Sequence, residues 1–194
     1  MAKKGLLTTS DYLEFEEYQR LLKCLRKDKE YMYETYAVLG FCTACRISDI
    51  LKMRWKDILQ PEYLVTEQKT GKTRRITFNE SVQKRLSDLY VLSGMPDKNE
   101  LIFLRKRTRL PLVKQEVNKV LHSFKERYHL DIGNFSSHTF RKTFGRYVYD
   151  RSGRRDESLV LLNKIYKHSS IQVTKAYIGI TQDEVDGVFD SISL

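Results

Sequence analysis

One stretch, Glu62 to Phe78, breaks a chain that otherwise reads as helix, and it limits the fold more than any other feature. The runs Tyr63-Leu64-Val65-Thr66-Glu67 and Arg74-Arg75-Ile76-Thr77-Phe78 are β-prone and flank Lys69-Thr70-Gly71-Lys72, with glycine at the tight turn of a hairpin. Everywhere else the apolar residues recur at helical spacing. A lone hairpin among helices makes the fold mainly α with a small antiparallel β-sheet, an α+β arrangement.

Helical spacing predicts segments over 9–25, with Thr9, Ser10 or Asp11 as cap and Leu13, Phe15, Leu21, Leu22 and Leu25 facing inward, and over 30–41. A short helix opened by Ser48 follows over 48–55. Further segments cover 80–92, 114–128, 138–150, 158–166 and 170–178. In the second of these, Val113, Val117, Val120, Leu121 and Phe124 share one face. A last helix over 183–192 carries Val185, Val188, Phe189 and Ile192 as a stripe. Neither a repeat nor a linker-like break in composition divides residues 1–194, so a single domain is expected.

Charge narrows the partner. With 35 Lys and Arg against 25 Asp and Glu, the chain carries +10, which favours a polyanion: nucleic acid first, an anionic membrane second. No run of 18 apolar residues is present, and the apolar part of the Met1–Leu7 segment is too short for a signal peptide, so a cytoplasmic location is expected. The cysteines are Cys24, Cys42 and Cys45. Cys42 and Cys45 form a C-x-x-C, but no second pair completes a zinc site, and the apolar run before them is not the βαβ setting of a redox pair. Packing is the reading, with no metal and no cofactor expected.

Four short segments carry residue types that make chemical sense together. Arg46 opens a helix with Asp49 three residues on; Lys69 sits in the hairpin turn; His138 and Arg141 form H-x-x-R; His168 precedes Tyr177 by nine residues. Each alone has an ordinary explanation, such as a local ion pair, a solvated turn lysine or a packed aromatic. In this order and spacing, and above all in the segments Arg46 to Trp55, His138 to Gly145 and His168 to Gly179, the chain resembles the catalytic domain of the tyrosine recombinases, the phage integrase family.

The resemblance implies a site-specific recombinase that cuts and rejoins DNA through a 3′-phosphotyrosine link. Arg46 and Arg141 would clamp the scissile phosphate as planar forks of donors. Tyr177 would attack, His138 would take its proton, His168 would donate to the phosphate, and Lys69 would protonate the leaving 5′ oxygen. Asp49 would brace Arg46. Lys72 competes with Lys69 from three residues away, and the residue directly before Thr-Gly is the better match. Tyr147, Tyr149 and Tyr166 lie on helical stretches where packing explains an aromatic. Lys72, Arg74, Lys142 and Lys167 are expected to touch DNA phosphates.

Two positions depart from the family pattern: Ala44 where glycine is usual, and Lys167 where glycine or asparagine is frequent. A separate DNA-clamping domain precedes this one in most members, and only a short basic lead precedes Leu7 here. The partners implied are double-stranded DNA and further copies of the chain, a tetramer joined through the 183–192 helix, in the nucleoid of a bacterial cytoplasm. A type IB topoisomerase shares the chemistry as a monomer, and a DNA-binding module without catalysis would be expected to have lost site residues.

Overall fold

The segment Tyr31–Thr43 (α2) has no polar face, and a helix of that kind belongs in the interior. In the computed structural model, which describes residues 10–66 and 71–180, α2 is the central rod, with Thr35, Tyr36, Ala37, Val38 and Leu39 all buried. Helices α1 (Phe15–Lys27), α5 (Glu80–Leu92) and α7 (Thr139–Arg151) pack around it. Its one fully buried carboxylate, Glu34, is held by Arg26 of α1 at 2.7 Å and Arg85 of α5 at 2.7 Å, so two charge-assisted pairs tie three helices together.

Close approach places α7 between two groups of helices. A Cβ on Gly40 of α2 would lie 2.9 Å from Phe140 Cβ of α7. On the other side, a Cβ on Gly145 would overlap the Tyr166 hydroxyl and lie 2.6 Å from Ile178 Cγ2. Tyr166 ends α8 (Asp156–Tyr166), and Ile178 directly follows α9 (Ile171–Tyr177). The buried apolar residues accordingly fall into a large core around α2 and a smaller one of Ala44, Leu159, Leu162, Tyr166 and Ile178.

The hairpin β1 (Glu62–Thr66) and β2 (Thr73–Thr77) pairs antiparallel from Glu62↔Thr77 to Thr66↔Thr73. Val65 and Ile76 point inward, and β1 packs on α4 (Trp55–Ile58). The short α3 (Ile47–Ile50) and the longer α6 (Lys114–Arg127) complete the described elements. The two-stranded sheet and helical surround match the expected α+β class. No helix among the described residues is long and apolar enough to cross a membrane.

Two helix boundaries differ from expectation, each because a distant partner competes for the backbone. The expected start at residues 9–11 moves to Phe15: Asp11 exchanges bonds with Asn134, its N–H donating to the Asn134 carbonyl at 3.0 Å and its carboxylate accepting at 2.8 Å. Leu13 N–H donates to Thr143 Oγ1 at 2.9 Å. The expected 48–55 helix divides into α3 and α4, since the Met53 carbonyl accepts from Ile102 N and Trp55 N donates to the Glu100 carbonyl. The expected 183–192 helix lies outside the described residues.

Candidate active site

Arg46 is delivered by the end of α2. Ala44 caps that helix in the left-handed conformation, φ 50°, which explains why glycine is usual at this position. The turn is tied from both sides: Thr43 Oγ1 accepts from Cys45 N at 3.1 Å, while Arg74 of β2 donates to the Thr43 carbonyl at 2.6 Å and to Cys45 Sγ at 3.2 Å. Arg46 then leads into α3 from an extended conformation.

His138 and Arg141 come from the start of α7. Ahead of them, Ser136 N donates to Thr139 Oγ1 at 3.1 Å, and Ser137 is pinned by Asn118 Oδ1 on its N–H and by the Tyr36 hydroxyl on its carbonyl. Arg141 is only 3% exposed. Its guanidinium donates to the Ala44 carbonyl and, at 3.2 Å, to the Tyr166 carbonyl, and it stands 4.4 Å from the centre of the Tyr166 ring. The Tyr166 hydroxyl in turn donates to the Arg141 carbonyl at 2.7 Å. Arg46 reaches the same Tyr166 carbonyl at 3.3 Å.

Beyond Tyr166 the chain turns through Lys167, φ 56°, again left-handed where glycine or asparagine would rest without strain. That turn presents His168, whose Nδ1 lies 3.1 Å from Thr174 Oγ1. Ser170 caps α9, accepting from Val173 N, and the helix ends on Tyr177. The Tyr177 ring meets His168 edge-on at 4.9 Å and Tyr166 at 5.1 Å, and its buried hydroxyl makes no hydrogen bond among the described residues.

Arg46, His138, Arg141, Lys167, His168 and Tyr177 thus line one cleft of about 320 Å³. Its electrostatics follow from burial and crowded cations. Burial, then Lys114, Arg141, Lys142 and Arg46, push His138 down to about 4. Burial, then Arg141 and Arg46, push His168 to about 4 as well. Both imidazoles are therefore neutral near pH 7, each with one ring nitrogen that donates and one that accepts. Burial raises the Tyr177 phenol, and Arg141 and Arg46 pull it back.

The remaining expected residues are placed variously. Asp49 is buried on α3, its N–H bonded to the Arg46 carbonyl at 2.9 Å and its carboxylate near Ser48 Oγ at 3.5 Å. Lys69 lies outside the described residues. Lys72 is exposed, and Lys167 Nζ donates to its carbonyl at 3.4 Å, joining the hairpin to the cleft. Arg74 and Lys142, expected at DNA phosphates, are both turned inward, Arg74 half-buried and Lys142 buried. Arg74 shares the inward side of β2 with Ile76, two residues on, and Lys142 is 6% exposed beneath the Tyr177 ring, its ammonium 5.1 Å from the ring centre. Cys42 and Cys45 are packing residues of the larger core, and burial raises both thiols.

The sequence marked Tyr166 only as a packing aromatic and did not single out Gly145, Asn163 or Thr174. Only Gly145 left a signal, a glycine in mid-helix one turn beyond Arg141, where helix propensity argues against it.

The phage integrase family matches residues 11–184. The probable integrase/recombinase YoeC of Bacillus subtilis (strain 168) is 34% identical over 147 residues, 75% of this chain and 76% of that protein. Among solved structures, the XerA recombinase superposes with a TM-score of 0.70 at 18% identity, over 95% of this chain and 66% of its own. The Tn1549 transposon integrase in complex with transposon right end DNA gives 0.70 at 17%, over 95% and 66%. A lambda integrase dimer bound to a COC′ core site gives 0.65 at 19%, over 92% and 62%. The chain therefore spans about two thirds or less of these solved proteins, and at such identities the likeness carries the fold. Taken with the family match and the Bacillus relative, it shows that the chain belongs to the phage integrase family, the tyrosine-type site-specific recombinases.

Proposed function

We propose that the chain cleaves and rejoins double-stranded DNA with Tyr177 as nucleophile. The phenol oxygen attacks the scissile phosphorus, His138 takes the phenolic proton, and the bond to the 5′ oxygen breaks as the hairpin lysine, Lys69 in preference to Lys72, supplies a proton to that oxygen. The 3′-phosphotyrosine keeps the phosphodiester energy, so a 5′-hydroxyl from a second strand reverses the step without a nucleotide cofactor. Arg46 and Arg141 offset the charge that develops on the non-bridging oxygens, His168 donates to one of them, and Asp49 braces Arg46.

The observation that carries this reading is convergence: residues from the α2–α3 turn, the start of α7, the turn after α8 and the end of α9 line one cleft. The DNA-bound relatives favour duplex DNA as partner. The apolar stripe Val185, Val188, Phe189 and Ile192 favours docking between protomers in a DNA-bound tetramer, in the nucleoid of a bacterial cell. A nicked suicide substrate bearing the attachment sequence, taken from the DNA flanking the gene, should trap a denaturation-resistant protein–DNA band. Loss of the band in Tyr177→Phe is expected; its persistence would remove Tyr177 as nucleophile.

A further inference from the structure

A polar chain centred on the buried Thr174 stands behind His168, among residues that do not line the cleft. Asn163 Nδ2 donates to the Ser170 carbonyl at 2.8 Å and to Thr174 Oγ1 at 3.1 Å. Because a carbonyl only accepts, the Ser170 contact fixes which end of the Asn163 amide is nitrogen, and both amide hydrogens are then engaged. Thr174 is fully buried, so its hydroxyl accepts from Asn163 and has one proton to place. Two acceptors are within reach: His168 Nδ1 at 3.1 Å and the Ser170 carbonyl at 3.4 Å. The carbonyl already holds bonds from Asn163 Nδ2 and from Thr174 N, whereas Nδ1 has no second partner among the described residues. The shorter contact to the less occupied acceptor takes the proton.

We infer that Thr174, oriented by Asn163, is a positioning residue that holds His168 as the Nε2–H tautomer, so that the ring nitrogen left to the cleft is a hydrogen-bond donor to a phosphate oxygen. The role at phosphate rests on the recombinase reading above; the tautomer does not. With Nδ1 accepting, His168 donates through Nε2 while remaining neutral, in keeping with the low affinity for a second proton that burial and the two arginines impose. The opposite tautomer would require the Thr174 hydroxyl to donate to the already occupied Ser170 carbonyl.

The tautomer is read directly from the imidazole 15N shifts of His168 in the DNA-free protein at pH 7, with His168→Gln giving the assignment. The expected result is an unprotonated Nδ1 and a protonated Nε2. Thr174→Val, which keeps the side-chain shape, should let the other tautomer appear and lower the single-turnover rate of covalent adduct formation about tenfold or more, with Thr174→Ser restoring both readouts. A wild-type ring protonated at Nδ1, or a Thr174→Val protein with tautomer and rate unchanged, would overturn the inference. A chain that held the expected tautomer yet formed no adduct with DNA would count against the recombinase reading instead.

Discussion

Arg46 and Arg141 donate to one and the same acceptor, the backbone carbonyl of Tyr166, at 3.3 and 3.2 Å. Two guanidinium groups on one carbonyl repel each other, and an anion in the cleft relieves that repulsion. Lysine has no planar fork with which to keep both the carbonyl and a phosphate oxygen. Arg46→Lys and Arg141→Lys should each lower adduct formation about 10²–10³-fold in single-turnover assays. Because the two share an acceptor, the double variant should lose less than the product of the single losses. Strict multiplicativity would refute the coupling.

The neutral histidines make stability depend on pH. Both have folded-state values near 4, below the ordinary 6.5, so between these limits the unfolded chain binds more protons than the native one. Stability should be fully present above pH 6.5 and decline as pH falls towards 4. With a discount for the partial exposure of both rings, the loss is on the order of 1–2 kcal/mol for the pair. Urea denaturation at pH 7 and pH 4.5 measures it, and a His138→Gln/His168→Gln double variant should lack that part of the slope.

Gly145 carries no side chain because the Tyr166 hydroxyl and Ile178 occupy the space where one would go. Alanine gains up to about 1 kcal/mol in helix propensity but overpacks a contact worth about 1–3 kcal/mol. Gly145→Ala should therefore be destabilising by about 1–2 kcal/mol, and it should also slow adduct formation, since the Tyr166 carbonyl that aligns both arginines moves with the ring. Unchanged stability in thermal unfolding would mean that α8 yields without cost.

Arg74 and Lys72, two residues apart, should separate cleanly in DNA-binding assays. Arg74 holds the Thr43–Cys45 turn, so Arg74→Ala should cost about 1–2 kcal/mol of stability and slow cleavage while leaving the salt dependence of DNA affinity unchanged. Lys72 is exposed, and Lys72→Ala should lower the slope of log K against log salt by about 1 with stability unaffected. The reverse pattern in a salt titration would return Arg74 to the DNA surface.

Both left-handed family departures invite glycine, with different outcomes. Lys167→Gly relieves about 1 kcal/mol of backbone strain at a half-exposed position and should raise stability by about that amount. Ala44→Gly relieves the same strain but removes a fully buried methyl worth about 0.8 kcal/mol, so its unfolding midpoint should scarcely move. Chemical denaturation of the two variants side by side tests the difference.

Patterns along the chain determined what could be read without a structure: the repeat of apolar residues that makes each helix, the β-prone runs that pair as β1 and β2, and the order and spacing of Arg46, His138, Arg141, His168 and Tyr177 that mark the family. Burial of one face is enough to enforce the apolar repeats. Tertiary structure alone decided which polar groups win when several could bond. Leu13 leaves the helix for a hydroxyl 130 residues away, and Met53 and Trp55 leave theirs for the backbone at 100–102. Tyr166, an ordinary core aromatic by its helical position, becomes the acceptor for both arginines, and Thr174, one turn before Tyr177, becomes the partner of His168. The physical reason is shared: a buried donor or acceptor must find a partner, and which partner stands within 3 Å depends on how α7, α8 and the α2–α3 turn meet.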